Sequence, residues 1–480
     1  MKPSHRILTE PRLGTERRPT LSEATPVYEL GLALRACQDV FHSVKTILNN
    51  TPRYSAADNA FRDTMRKSFF SDAALGSSAL ATYYSLSFRK HRPRENTNSF
   101  ISAVTCRLQR DPGARFERQL YPGAQRAMQA GIYMQFMSNL LDTIVDSKYA
   151  SRENLNLYTF YSALSDCFSE ENIEHKPYVQ NDKVMNQLIS SVVNQTRAEL
   201  QESRIFDTNG EEKRKFLIAR MHRYERTQQD TVSYTTNKDL NRRMKGTVLI
   251  RFGNNPEKMN TYFSRVFISF KKISEQLKIH MLHAQDVSTI DFMAHIMAMA
   301  APNWTPERAE RIDELLAVPK TIHIFAHATN QMGREKISKL DERDIRYGET
   351  SAEQTAGEYL THMKEQLIKL SQLNNWRLRD LETTWLEQGT PEAALASGTK
   401  WLTGLILNRY CLKMPRTVRE EILKATELRH PLFSGLNLLL IREKTECKKA
   451  IEQLFGEETF ASIFHNALRK RVLQQTALSA

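Results

Sequence analysis

The residues with the clearest chemical potential lie between positions 213 and 272, where lysines and arginines alternate with aromatic side chains. This segment, the basic block, contains 15 Lys and Arg residues against 4 Asp and Glu residues. Phosphate groups bind dense cationic side chains, and single-stranded nucleic acids add bases that stack on aromatic rings. The composition therefore predicts a non-enzymatic binding protein for a polyanion, with nucleic acid as the expected partner.

The predicted contacts are phosphate-directed cations and a few stacking aromatic rings. In the basic block the predicted nucleic-acid-binding residues are Arg214, Arg220, Arg223, Tyr224, Tyr234, Arg242, Arg243, Lys245, Arg251 and Phe252. A second basic run between two helical segments adds Arg89, Lys90, Arg92 and Arg94, which we expect on an exposed loop. No RRM, KH, zinc-finger or clear helix-turn-helix signature accompanies these residues.

The distribution of charge along the chain leaves other interpretations open. Residues 1–130 carry a net charge of +9, residues 131–212 carry −7, residues 213–272 carry +11, and residues 273–480 carry none. The acidic segment lies directly before the basic block, so the two could neutralise each other inside the folded chain. The basic surface could also meet an acidic protein, as in a protein-interaction module or a bacterial effector that acts on a host protein or membrane surface.

An all-α metal-dependent enzyme is the third function class. His323 and His327 share a predicted helix face and are weak metal candidates, but the HExxH motif would need Glu at Ile324. Asp142 and Asp146 in LLDTIVD are also four positions apart on one helix. This stretch resembles the first aspartate-rich motif of squalene and phytoene synthases, which are all-α and hold diphosphate through Mg²⁺. No second motif matches, so we predict neither catalytic residues nor a cofactor.

Histidines are concentrated in one part of the chain. Five of the 13 fall within 48 residues, at His280, His283, His295, His323 and His327. Nearby carboxylates, Asp313 among them, could complete a metal site only if the fold gathers them. Histidines on apolar helices are usually packed core residues, so the sequence favours that interpretation.

The elements that must position these residues are helices. Apolar residues recur every three or four positions in segments that open with helix-start signals at Ser55, Pro122, Asn181 and Pro256. Glycine is scarce, with 17 residues in 480, about half of the ~7% that is usual. That scarcity argues against turn-rich β-sandwiches, barrels and enzymes built on glycine-rich phosphate loops.

We therefore predict an all-α fold, as a multi-helix array or as two to three helical subdomains. Two β-branched stretches, 231–236 and 247–252, are strand candidates, so we allow at most one small β-hairpin near 231–252. The predicted organisation is a disordered basic tail at 1–26, an N-terminal helical domain at 27–210, a basic helical or hairpin segment at 211–285, and a C-terminal helical domain at 286–480.

The expected environment follows from the cysteines and the hydropathy. The five cysteines are widely spaced, so we predict buried thiols without disulfides in a reducing, cytoplasmic compartment, with delivery into a host cell left open. No stretch approaches the ~18 apolar residues of a membrane span, and the prediction is a soluble protein without transmembrane insertion.

Overall fold

The computed structural model is all-α over the residues that it describes. Helices account for 81% of these residues and no strand occurs among them, which confirms the predicted fold class. The described residues are 21–51, 55–70, 123–146, 155–173, 176–237, 252, 255–266, 282, 290–299, 304–310, 312–314, 316–317, 320, 361, 365, 420 and 431–455. Within them, no helix combines the length and the apolar character that crossing a membrane requires.

Ten helices have defined bounds in this part of the chain. They are α1 (Leu21–Asn49), α2 (Ser55–Ser68), α3 (Ala124–Asp146), α4 (Leu157–Tyr161), α5 (Ala163–Asp166), α6 (Lys183–Glu202), α7 (Gly210–Asn237), α8 (Pro256–Val266), α9 (Ile290–Met299) and α10 (Pro431–Phe455). The four start signals identified in the sequence lie within two residues of the first residues of α2, α3, α6 and α8. The side chain of Asp182 caps α6 by accepting the backbone N–H of Met185 at 2.9 Å, and Asn255 accepts the N–H of Lys258 at the start of α8 at 3.1 Å.

The candidate strand at 231–236 is helical, so the small hairpin that the sequence allowed does not form with this stretch. The stretch TVSYTT continues α7, which runs from Gly210 to Asn237. β-Branched residues disfavour a helix only slightly, and no proline or internal glycine interrupts the helix before this stretch. The second candidate strand, 247–252, lies outside the described residues except for Phe252, which is helical.

Only a few of the predicted tail and domain boundaries fall within the described residues and can be compared with the helix bounds. α1 begins at Leu21, inside the last six residues of the predicted 1–26 tail, while residues 1–20 lie outside the described part. A turn at 203–209 precedes α7, close to the predicted boundary at 210. The division into separate domains stays a prediction.

α3 is the central helix of the described core. Every residue from Ala127 to Ser138 is buried, and α1, α2, α6 and α9 all pack against this helix. Its sequence has only three charged residues, so no broad polar face directs one side to water. A helix of this composition is stable only when neighbours surround it, and four helices do so here.

Buried polar side chains of α3 fix how its neighbours attach. Gln125 and Gln129 both donate to Oδ2 of Asp39 on α1, at 2.9 and 3.0 Å. Asn139 donates to the hydroxyl of Ser68 on α2 at 3.0 Å. Buried amides usually have partners, so the bonds of Gln125 and Gln129 favour one register of α1 on α3, and the half-buried Asn139 adds a contact to α2.

Gly123 allows the start of α3 to meet the end of α6. Its φ of +89° lies in the left-handed region that favours glycine, and a Cβ there would lie 2.3 Å from the carbonyl oxygen of Ser203. Ser203 is buried at the C-terminus of α6. No other residue type fits this close approach without moving one of the two helices.

α10 returns from far along the chain to the first two helices. Gln38 on α1 donates to Glu443 at 3.2 Å, across 405 positions of sequence. Arg66 on α2 forms an ion pair with Glu452, across 386 positions. The guanidinium of Arg62 also faces the ring of Phe455 at 5.9 Å. α10 thereby covers the α1–α2 pair.

The described cysteines are buried thiols, as the sequence predicted. Cys37, Cys167 and Cys447 are buried and form no disulfide. The pKa of the Cys167 and Cys447 thiols is raised to about 12, chiefly by burial. Thiols held protonated in this way are poor nucleophiles and structural in character. Cys106 and Cys411 lie outside the described residues.

Candidate nucleic-acid interface

α7 carries the first part of the basic block and presents two different faces. Its first turn begins with Glu211 and Glu212, which suit the positive end of the helix dipole. The exposed face runs at three- and four-residue spacing through Glu211, Lys215, Ala219, His222 and Arg226. The exposed charge therefore changes from acidic to basic along the helix. The opposite face packs against the rest of the fold.

Lys213 faces the interior although its sequence context is strongly basic. Its buried Nζ donates to the carbonyl oxygens of Ile205 at 2.7 Å and Met299 at 2.9 Å. Burial lowers the pKa of Lys213, and the charge of Asp207 partly offsets that effect. Lys213 thus joins the turn before α7 to the end of α9 and is not a surface cation.

Arg214, a predicted contact residue, is held by the acidic segment that precedes the block. Its Nη2 lies 3.1 Å from Oε1 of Glu170, and its Nη1 donates to the carbonyl oxygen of Phe168 at 3.3 Å. The guanidinium also covers the ring of Phe206 at 4.3 Å. Arg214 is therefore neutralised within the chain, which is one of the alternatives that the charge distribution left open.

Arg220, another predicted contact residue, forms a bidentate ion pair with Asp313. Both Nη–Oδ distances are 2.5 Å, and the two side chains are only 10% and 17% exposed. Nε2 of His295 lies 2.9 Å from the same Oδ1 of Asp313. Burial opposes ionisation of Asp313, but Arg220 and His295 outweigh it and hold the pKa of the carboxyl group well below its usual value. The carboxylate therefore stays ionised and neutralises Arg220.

Aromatic rings enclose this Arg220–Asp313–His295 cluster. The ring of Phe216 lies 5.3 Å from the guanidinium of Arg220 and 5.3 Å from the ring centroid of His295. Trp304 packs edge-on against Phe216 at 5.5 Å. These rings limit access of water, which strengthens the ion pair.

Tyr224, predicted as a stacking residue, lies in the core. Its ring packs edge-on against Phe292 at 5.4 Å, and its hydroxyl group is hydrogen-bonded to Ser138 on α3. Gln228 donates to the same hydroxyl oxygen at 3.3 Å. Burial raises the pKa of the phenol. Protein covers this ring, which leaves no face for a nucleobase.

One turn beyond Arg220, α7 places the carboxyl group of Glu225 in a second buried cluster. Glu225 is 6% exposed, and its Oε1 accepts the backbone N–H of Ser165 at 3.1 Å. Burial raises the pKa of Glu225 to about 7, although the hydrogen bonds from Ser165 act in the opposite direction. Perturbed carboxyl groups of this kind are common in functional sites.

Asp166 is the second carboxyl group of this cluster and is 4% exposed. Lys176 donates to both of its oxygens, at 2.9 and 2.7 Å, and the hydroxyl group of Tyr178 donates to Oδ2 at 2.7 Å. Nε of Arg197 donates to the backbone carbonyl oxygen of Asp166 at 2.7 Å. Asp166 thereby connects α5, the following loop and α6.

The exposed basic surface begins beyond these two clusters. His222 and Arg226 are exposed one turn apart on α7. Burial of part of the imidazole, followed by the charge of Arg226, lowers the pKa of His222. Arg223 is half-buried on the same helix, and Lys258 is exposed on α8. The described cations of the block that face water are therefore Lys215, which pairs with Glu211, and Arg226 and Lys258.

The remaining predicted residues are only partly covered by the structure. Phe252 is half-buried and lies 5.7 Å from the ring of Tyr262, while Tyr234 belongs to α7 with its side chain outside the described set. Outside the described residues altogether are Arg242, Arg243, Lys245, Arg251, Arg89, Lys90, Arg92, Arg94, His323 and His327. Among the described side chains, no group of three or more His, Cys, Asp or Glu residues could hold a metal ion.

Some residues of these clusters could be identified in the sequence, but their contacts with one another could not. His295 and Asp313 stand in the histidine-rich region, but the structure joins them to Arg220 rather than to other histidines. Asp166 and Glu225 gave no sequence signal, because isolated carboxyl groups in amphipathic helices are ordinary surface residues. Only their burial identifies them.

Comparison with protein-family models, with curated proteins and with solved structures gave no match to this chain. The functional argument therefore depends on the residues and contacts described above.

Proposed function

We propose that the protein binds a polyanion, with nucleic acid as the expected ligand, through the part of the basic block that follows Arg220. The proposed contacts are Arg226 on α7, Lys258 on α8, and the cations Arg242, Arg243, Lys245 and Arg251 that lie between these two helices in the sequence. The observation that supports it most directly is the exposure of Arg226 on α7, one turn beyond the exposed His222, with the strongly cationic segment 238–251 following in the sequence. The proposed activity is binding, without a catalytic step.

The composition of the block supports the proposal. Four of its 15 cations, Lys213, Arg214, Lys215 and Arg220, bind carboxylates or carbonyl oxygens of the chain. The block as a whole contains only four carboxyl groups, one of which is the buried Glu225. An excess of this size over a short segment suits a ligand with closely spaced phosphates.

The proposed contacts lead to a substitution experiment with a charge-matched control. The test variant is Arg242→Ala/Arg243→Ala/Lys245→Ala. The control, Arg442→Ala/Lys448→Ala/Lys449→Ala, removes three exposed cations from α10. Binding to a fluorescent single-stranded RNA is measured by anisotropy from ~50 to ~200 mM salt. Each phosphate contact contributes about 0.7 to the log–log salt slope for a single strand, so the test variant should lose about two units of slope.

The control variant should retain the affinity and the salt slope of the parent protein. Equal weakening by both variants would mean that only total charge matters and would contradict a local interface. Parent protein that does not bind RNA or heparin at ~50 mM salt would contradict polyanion binding itself. Recovery of a single acidic protein after nuclease treatment would instead favour the protein-interaction alternative.

A further inference from the structure

Glu225 occupies an unusual place in the contact between α7 and the α4–α5 pair. α7 packs on both of these short helices, and the Glu225 side chain points into that contact. Its carboxyl group accepts the backbone N–H of Ser165, the third residue of α5, at 3.1 Å. A single carboxyl group on α7 thus holds the backbone of a four-residue helix that has few internal hydrogen bonds of its own.

The charged groups around Glu225 come from three elements. α5 contributes Asp166, its C-cap residue Cys167 contributes a buried thiol, and the following loop contributes Lys176. Lys176 already donates to both oxygens of Asp166, which also receives the hydroxyl group of Tyr178.

The third element is α6, from which Arg197 approaches. Its guanidinium donates to the backbone carbonyl oxygens of Asp166 at 2.7 Å and Glu171 at 2.8 Å, rather than to a carboxylate. Lys176 and two of the three Arg197 nitrogens therefore bind other acceptors, and the third, the buried Nη2, has no hydrogen-bond partner among the described residues. Glu225 itself forms no ion pair with either cation, so its ionisation would place a negative charge beside the carboxyl group of Asp166 in a buried contact.

We propose that Glu225 is a pH-responsive latch, whose protonated carboxyl group holds α7 against α5 and whose ionisation loosens that contact. The latch acts on the fold itself and requires no polyanion, so it is independent of the proposed binding function.

The direction of the response follows from the two protonation states. Burial raises the pKa of Glu225 from 4.5 to about 7 in the folded chain. The folded form therefore binds a proton that the opened form has released, and the contact loses stability as the pH rises through the neutral range. Between pH 5 and pH 8 the opening equilibrium constant should increase roughly fifty- to a hundredfold.

Hydrogen exchange on the unmodified protein tests the latch directly. Protection factors, corrected for the intrinsic pH dependence of exchange, are measured at pH 5 and pH 8 for peptides from α5 and from α6. We expect protection in the α5 peptide, which includes the Ser165 amide, to fall strongly while protection in α6 changes little. Equal changes in the two peptides, or no change in α5, would overturn the proposal.

Substitution separates Glu225 from other titrating groups. Glu225→Gln keeps an oxygen that accepts the Ser165 N–H but cannot ionise, so the α5 peptide should stay protected at pH 8. Glu212→Gln, an exposed position on the same helix, should behave like the parent protein. A Glu225→Gln protein that still loses α5 protection at pH 8 would assign the response to another group. If that variant does not fold, the measurement on the unmodified protein decides alone.

Discussion

α7 takes part in two buried carboxyl clusters, and the pKa of the central carboxyl group is shifted in opposite directions in the two. At Arg220, one carboxylate, Asp313, receives a bidentate guanidinium and a histidine. At Glu225, two carboxyl groups lie close to one lysine, which Asp166 already occupies. The pKa of Asp313 is held well below its usual value, and that of Glu225 is raised to about 7. Burial is common to both, so the number of available cations decides which carboxyl group ionises.

The comparison also shows how this chain uses its basic residues. Lys213 and Arg220 bind buried acceptors near the start of the basic block, whereas Arg226, further along the same helix, is exposed on the surface. The same residue types therefore serve stability in one part of α7 and are available for binding in the next. Charge counted along the sequence does not separate these two uses.

The largest expected effect comes from breaking the balanced cluster. Asp313→Asn leaves the buried guanidinium of Arg220 opposite a neutral amide, so the free energy of unfolding should fall by about 3–5 kcal/mol. Urea denaturation followed by circular dichroism measures the change. The double variant Arg220→Met/Asp313→Leu should be less destabilised than Asp313→Asn. If the free energy of unfolding of Asp313→Asn lies within about 1 kcal/mol of the parent value, the ion pair is not essential for stability.

The pH dependence should distinguish the two clusters by sign. Asp313 has a lowered folded pKa, so its contribution is present above its unfolded pKa of about 3.9 and is lost as the pH falls through the folded value. Glu225 has a raised pKa, so its contribution is present below about 4.5 and is lost as the pH rises through about 7.

For Glu225 this predicts a measurable loss of stability at neutral pH. The parent protein should lose about 2–3 kcal/mol from this group between pH 5 and pH 8, and Glu225→Gln should not. Urea midpoints at the two pH values give the comparison. Parallel pH profiles for the two proteins would contradict the assignment to Glu225.

A smaller effect is expected at the hydroxyl group that supports Asp166. Tyr178→Phe removes one donor from a buried carboxylate that keeps Lys176, so the free energy of unfolding should fall by about 1–2 kcal/mol. Tyr158→Phe is the matched control, because Tyr158 is 72% exposed. A loss of similar size in both variants would place the effect outside the cluster.

The smallest effect should come from the exposed ion pair on the same helix. Lys215 and Glu211 lie 2.6 Å apart, with side chains 75% and 83% exposed. Water screens such pairs, so Lys215→Ala should leave the urea midpoint unchanged. A clear shift of the urea midpoint would mean that exposed ion pairs on α7 also stabilise the fold, which would contradict the contrast with the buried pair of Arg220.

Much of the fold could be predicted from the sequence, because its signals are local. Apolar spacing and start residues located α2, α3, α6 and α8, and wide cysteine spacing predicted the buried thiols at Cys37, Cys167 and Cys447. The stretch 231–236 shows the limit of such signals: its β-branched residues alone predict a strand, but the helix that leads into them continues through them.

The clusters could not be predicted, since they depend on residues far apart in sequence. Arg220 and Asp313 are separated by 93 positions, and Ser165 and Glu225 by 60. Their residue types are visible in the sequence, but the depth at which each carboxyl group lies and the cation that it meets are set by packing. The polyanion interface, with Arg242, Arg243 and Lys245 at its centre, stays a prediction.

The return of α10 to α1 and α2 has a consequence for the time course of synthesis. The last residue of α2, Ser68, and the first of α10, Pro431, are separated by more than 360 positions. At about 5–20 residues per second, a ribosome needs roughly 20–80 s to make that interval. Throughout it, the surface that Cys447 and Ile451 will cover has no native cover from α10. α1 and α2 therefore emerge long before α10 can cover them, and they are most accessible to chaperones during synthesis.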